Sequence, residues 1–190
     1  MKMEELEQEI RNCKKCSLYK NANKAVPGSG DYSADIMFVG EAPGKNEDKE
    51  GKPFVGRAGK ILDELLENIG LERNEVFISN IVKHRPPENR DPTNKEIKSC
   101  VPYLDKQIDH IKPKVLAPLG RFAMEYILSK YEISYGKISE DHGTTHKVNT
   151  LFGTMEIIPL YHPAVVLYQR SMKEKLEKDF EKLKNVIDRN

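Results

Sequence analysis

Tryptophan is absent from this chain, cysteine occurs only three times, and no apolar run is long. Each lack excludes something. A bilayer span needs about 20 consecutive apolar residues, whereas the apolar runs here are short and broken by charges. Three cysteines in 190 residues cannot form a disulfide scaffold of the small secreted kind. Neither sign of charge dominates: Lys and Arg total 31 against 30 for Asp and Glu, a net charge of +1. That excludes the strongly basic class of nucleic-acid binder but leaves room for a local basic surface. Two phosphate-binding signatures are also missing, the G-x-x-x-x-G-K-[ST] loop and the G-x-G-x-x-G turn. The opening Met1-Lys2-Met3-Glu4-Glu5-Leu6 has no apolar leader core. The expectation is a cytoplasmic monomer with no membrane association. Abundant Lys and Glu with few Cys is a composition typical of heat-adapted proteins. The 38% of hydrophobic residues suffice for a core, and the length fits one domain over 1–190.

What is present alternates between two periodicities. Short apolar runs at 35–40, 76–82, 115–120 and 155–160 read as buried strands. Between and after them, 60–68, 93–111, 121–129 and 172–187 carry apolar residues at helical spacing, and 4–13 reads as a short leading helix. Thr93 with Glu96 three residues on forms a capping box that opens the second of these long helices. The stretch 41–57 reads as a long glycine-punctuated loop, and 131–150 as polar and irregular, with a hairpin as one option. Strand–helix alternation predicts an α/β fold with a mainly parallel sheet. Ligands in such folds bind beyond the carboxyl ends of the strands.

The residues at those ends carry the chemistry. Strand one runs into Gly40-Glu41-Ala42-Pro43-Gly44 and then Gly51-Lys52-Pro53-Phe54-Val55-Gly56. Glycines let backbone approach a flat ligand closely and free their N–H groups to donate, although a glycine-rich surface loop looks the same. Asn80 at the second strand's end offers a donor and an acceptor side by side, which suits a base edge. His162, braced by Pro163, ends the fourth. A lone Asn or His at a strand end is commonly structural; the joint placement of Glu41, Phe54, Asn80 and His162 at one sheet edge favours a site. Cys13-Lys14-Lys15-Cys16 is a C-x-x-C, spaced for one metal or cluster.

The Gly40–Gly44 motif, the following Gly-Lys-Pro-Phe-Val-Gly, Asn80, Arg85-Pro86-Pro87 and His162-Pro163-Ala164 together resemble the family 4 uracil-DNA glycosylases, the iron–sulfur branch of thermophilic bacteria and archaea. The resemblance runs from Cys13 to about Arg170. It implies the fuller form of the fold, a three-layer α/β/α sandwich on a four-stranded, mainly parallel sheet, and a substrate-binding set of Gly40, Glu41, Ala42, Pro43, Phe54, Val55, Asn80 and His162. Phe54 stacks on a flipped uracil, Asn80 reads its Watson–Crick edge and His162 donates towards O2. Glu41 is the candidate for orienting water; Glu47 and Asp48 are alternatives that read equally well as solvated charges. Leu167 matches the residue that wedges into the minor groove, with core packing as the competing reading, and Arg85 and Arg170 are the favoured phosphate contacts among Lys83, Arg85, Arg90, Lys112, Lys114 and Arg170. The resemblance also implies a [4Fe-4S] cluster held by four cysteines. Here Cys13, Cys16 and Cys100 match, but His84 stands at the remaining position. A Cys₃His cluster, an open iron site, zinc, or no metal are the options. Uracil-containing DNA is the implied partner; a sliding clamp is possible in principle, without a clear binding peptide. The competing functions are a non-catalytic DNA-binding module and a covalent uracil-DNA binder. The second needs a histidine in the loop after the first motif, and 45–56 has none.

Overall fold

The computed structural model describes residues 2–189. Its strands are β1 (Ser29–Gly30), β2 (Ile36–Gly40), β3 (Phe77–Asn80), β4 (Val115–Pro118), β5 (His146–Thr150) and β6 (Gly153–Ile157). Its helices are α1 (Met3–Arg11), α2 (Lys45–Glu50), α3 (Arg57–Asn68), α4 (Asn94–Ile111), α5 (Arg121–Lys130), α6 (Ile138–Asp141), α7 (Val165–Tyr168) and α8 (Met172–Ile187). The six strands form one sheet in the order β1-β3-β2-β4-β6-β5. The four expected strands are its parallel centre, β3-β2-β4-β6. Two antiparallel edges bring the count from four to six.

Those edges escape a hydrophobic-pattern reading for physical reasons. β1 is two residues long, too short for any period to register. β5 is nowhere fully buried, alternating half-buried with exposed positions, so its sequence stays polar. It turns at Leu151-Phe152 and pairs with β6, which realises the hairpin option for 131–150. β6 accordingly starts earlier than expected and ends at Ile157, leaving Leu160 to make an isolated bridge with Leu119. The 41–57 loop contains α2, closed by Gly51 in the left-handed region at φ 77°. The capping box forms as read: Thr93 Oγ1 accepts from Glu96 N at 3.3 Å, and Thr93 N donates to Glu96 Oε2 at 2.8 Å.

The period-two rule divides the central strands between two cores. Met37 and Val39 of β2, Phe77 of β3 and Leu116 of β4 enter one, with α1, α4 and α5 packed over it. Ile36, Phe38, Ile78, Val115 and Ala117 enter the other, covered by α3 and α8. This is the three-layer sandwich. Phe38 and Phe180 stack across the second interface, with ring centroids 5.8 Å apart and planes 9° from parallel. Among the described residues no helix is long and apolar enough to cross a membrane.

Phe180→Ala should therefore destabilise the fold by about 3–5 kcal/mol, read from denaturant unfolding. Leu151→Ser at the 98% exposed hairpin tip should change it by about 0.5 kcal/mol or less. Equal effects would contradict this placement of the core.

Candidate functional site

The parallel register sets Gly40 directly beside Asn80 at the carboxyl ends of β2 and β3. The Leu119–Leu160 bridge brings the segment before His162 to the same edge. Above these ends lies a cleft of ≈ 370 Å³, lined by Glu41, Ala42, Pro43, Phe54, Asn80 and His162 among others. Two further expected residues stand behind it. Gly40 lies beneath the floor: a Cβ there would sit 2.4 Å from Asn80 Oδ1 and 2.8 Å from the Phe54 ring. Val55 is outside the lining and contributes its N–H to the loop scaffold described next.

Phe54 holds a positive φ of 50°, uncommon for a non-glycine residue. Several contacts enforce it. Arg73 Nη1 donates to Phe54 O at 2.9 Å and to Asp63 Oδ1 at 2.7 Å, and Nη2 donates to Pro53 O. Gly59 lets α3 approach: a Cβ there would meet Phe54 O at 1.8 Å. Glu47 Oε1 accepts from the N–H groups of Val55 at 2.9 Å and Gly56 at 2.8 Å. Asp48 is buried and accepts from Asn23 N at 2.8 Å and Asn23 Nδ2 at 2.5 Å. Neither acid is the solvated loop charge that the sequence allowed; both hold the loop in shape. The result is a Phe54 ring 5.4 Å from that of His162, with planes 27° from parallel.

Three polar groups face chemistry. Asn80 is only 2% exposed, and its Oδ1 has no hydrogen-bond partner. Such an acceptor costs about 1–3 kcal/mol unless a ligand satisfies it. His162 Nδ1 accepts from Ala164 N at 3.1 Å, which places the imidazole proton on Nε2. Burial lowers its pKa to about 4, against a smaller opposing pull from Glu47, so at neutral pH the ring is a neutral single donor. Glu41 is half-buried; desolvation first, then Asp91, push its pKa up to about 7, with Arg121 acting the other way.

The phosphate and groove contacts expected from the sequence divide. Leu167 is partly buried against the α3–α8 core, while its neighbour Tyr168 is 89% exposed. Arg170 is exposed. Arg85 donates from Nε to Asn89 Oδ1 at 2.7 Å. Lys83, counted among the basic surface residues, is fully buried and cannot meet a phosphate. Lys112 and Lys114 precede β4, at the opposite end of the sheet from the cleft. Lys114 pairs with Asp35 at 3.1 Å, and Lys112 lies over the Phe152 ring. Arg90 is engaged by both oxygens of Glu96, at 2.8 and 2.9 Å, which holds that carboxyl at about 2.

Cys13 and Cys16 follow α1, Cys100 lies in α4, and all three are free. They are close enough to influence one another electrostatically. Burial pushes the Cys100 thiol up to about 11 and raises Cys16. Cys100 Sγ accepts from Lys83 N at 3.2 Å. Cys13 and His84 line a common cavity of ≈ 480 Å³. Among the described residues no three His, Cys, Asp or Glu side chains converge tightly enough to chelate one ion.

The sequence reading missed Arg73, the loop-holding role of Glu47, the burial of Lys83, and Tyr168. Arg73 left no local signal, because its partners lie 19 and 20 residues away. Lys83 did leave one: it follows Ile81-Val82 directly beyond a buried strand.

The pattern of the Uracil DNA glycosylase superfamily matches residues 27–185. The chain is 48% identical over 185 residues to a type-4 uracil-DNA glycosylase of Sulfurisphaera tokodaii, covering 97% of this chain and 84% of that one. It is 44% identical to one from Archaeoglobus fulgidus (95% and 91% covered) and 47% to one from Saccharolobus solfataricus (94% and 83%).

His162 generates a pH prediction. Its folded pKa of about 4 lies below the ordinary 6.5. The stability tied to the neutral ring is therefore present above about pH 6.5 and is lost as pH falls towards 4. The stability difference between the wild type and His162→Gln should shift against the wild type across that window in urea unfolding. A gap constant from pH 7 to 4 would refute it.

Proposed function

The chain belongs to the uracil DNA glycosylase superfamily, within its type-4 members, and we propose that its cleft takes up a uracil flipped out of DNA and hydrolyses the bond from base to sugar. The observation that carries this reading is the unpartnered Asn80 Oδ1. It is an acceptor waiting for a donor, and uracil N3–H is one; the amide nitrogen beside it can donate to O4. Cytosine has no hydrogen at N3 and a donor at position 4, so it would leave the amide mispaired. Phe54 supplies a flat apolar face for the ring, with Glu41, Ala42 and Pro43 walling the cleft.

Charge development assigns the remaining roles. As the C1′–N1 bond breaks, its electron pair stays with the base and spreads onto O2. The Nε2–H of neutral His162 donates there, a stabilisation worth roughly 2.7–4 kcal/mol by analogy with oxyanion-hole donors. Water oxygen joins C1′ as positive charge grows on the sugar. Its proton passes to the Glu41 carboxylate and on to solvent. A Glu41 pKa of about 7 supports this role, because both protonation states are populated at neutral pH. The uracil anion takes up a proton from solvent, and uracil and an abasic site are the products. Leu167 at the minor groove, and Arg85 and Arg170 at phosphates, complete the proposed DNA contacts.

We assign Cys13, Cys16, Cys100 and His84 to a [4Fe-4S] cluster. Cys13, Cys16 and Cys100 lie within electrostatic reach of one another, and Cys13 shares a cavity with His84; these three thiols and the imidazole are the donors that would hold it. Held there, it would tie α1, α4 and the end of β3 together, and its role would be structural.

Metal-replete protein should release uracil from an oligonucleotide, leaving an alkali-labile site. Asn80→Ala and His162→Ala should each lower the single-turnover rate by about 10²–10³, with little change in binding to abasic DNA. DNA left intact by the wild type would sink the proposal.

Protein purified without oxygen should carry iron and acid-labile sulfide, with a broad visible absorbance. Cys100→Ala should lose both and His84→Cys keep both. Zinc in place of iron would overturn the cluster assignment while leaving the reaction untouched.

A further inference from the structure

Beyond Ile78 the edge strand β1 stops pairing with β3, so the Asn80 carbonyl needs a partner that the sheet does not supply. Lys83 provides it. The side chain folds back three residues and its ammonium donates to Asn80 O at 2.8 Å, Ser79 Oγ at 2.6 Å and Gln107 Oε1 at 2.8 Å. An ammonium has three donors, and all three are taken by neutral acceptors. Lys83, Ser79 and Gln107 are each 0% exposed. The far side is anchored in turn: Ser79 Oγ reaches Gln107 Oε1 at 2.9 Å, and Gln107 Nε2 donates to Pro27 O at 2.7 Å. The Lys83 backbone N–H meanwhile donates to Cys100 Sγ.

The geometry points to Lys83 as a positioning residue for Asn80. The Asn80 carboxamide has no partner on Oδ1, so nothing at that atom fixes its direction; the backbone beneath must. The Lys83 tripod pins that backbone by its carbonyl, where the ladder has run out. Among the described residues it also makes Lys83 the one that bonds directly both to the base-reading Asn80 and to a thiol of the Cys13–Cys16–Cys100–His84 group. A neutral hydrogen-bonding side chain offers fewer donors for the three acceptors, and an apolar one leaves all three buried and unpaired. The inference rests on the reading of Asn80 as the amide that meets the base.

The test is a double-mutant cycle on single-turnover uracil release, with enzyme in excess. Lys83→Met keeps the length and fills the buried space. If Lys83 acts through Asn80, it should lower the rate about 10- to 100-fold in the wild-type background and less than about 2-fold in Asn80→Ala. Iron content and the far-ultraviolet spectrum identify folded protein. Should Lys83→Met fail to fold, Gln107→Met removes one arm of the tripod from the far side. It carries the same prediction at about 3-fold, again abolished in Asn80→Ala. Equal losses in both backgrounds would mean a structural role only and overturn the inference, as would no loss in either. A wild-type rate for Asn80→Ala alone would remove the premise, and the inference with it.

Discussion

Gly40 lies opposite Asn80 in the parallel register of β2 and β3, and the cleft is organised around that pair. The register puts a residue with no side chain beside one whose carboxamide must stand free. Any Cβ at Gly40 would collide with both Asn80 Oδ1 and the Phe54 ring. A slip of one residue would turn Asn80 to the opposite face, and Ser79, whose hydroxyl now serves the buried network behind the strand, would take its place at the floor. The burial of the two strands on both faces is what forbids that slip, since alternate residues belong to different cores. The Asn80 carboxamide is thus fixed by the same hydrophobic sorting that builds the sandwich.

The Phe54 side of the cleft is held differently. A bulky residue at positive φ is a local cost, and it is met by contacts from three parts of the chain: the Arg73 guanidinium, the Glu47 carboxylate, and the bare Gly59 of α3. Asp48 fastens the start of the same loop to Asn23. A long glycine-rich segment therefore behaves as a scaffolded wall. Its acids serve the backbone, which leaves Glu41, with no such obligation, as the acid at the cleft whose pKa is raised towards neutrality.

The central parallel strands, the long helices and the capping box at Thr93 were legible in the sequence because each rests on local periodicity or a three-residue spacing. So were Glu41, Ala42, Pro43, Phe54, Asn80 and His162, which the fold gathers round one cleft. What was not legible depends on distant partners. β5 is a strand by pairing with β6, with no buried side of its own to mark it. Arg73 matters because of carbonyls far along the chain. Lys83 reads as a surface cation by type, and only tertiary structure supplies the three acceptors that let it be buried. Val55 matched by its place in a motif, yet its contribution is a backbone N–H, for which the side-chain letter carries no information.

Electrostatics connects these observations. The proposed reaction leaves negative charge on the base, yet the cleft meets it with a neutral imidazole and a carboxamide. Neutral donors suit such a site: an imidazolium at His162 would have to be desolvated, and burial opposes it, as the drop to about 4 expresses. Arg90 at the cleft wall is paired with Glu96, and a second cation sits one layer behind, the Lys83 ammonium bonded to the Asn80 carbonyl. There it is clothed by three oriented dipoles and bonded through its own backbone to Cys100. Anionic thiolates at that centre would offset the buried cation, and the cation would in turn favour thiolates over thiols. The Cys100 thiol and the Asn80 backbone are thus joined through a single lysine, within a core that also holds Ile81 and Val82. A structural cluster placed there would help keep that lysine, and through it Asn80, where the register has put them.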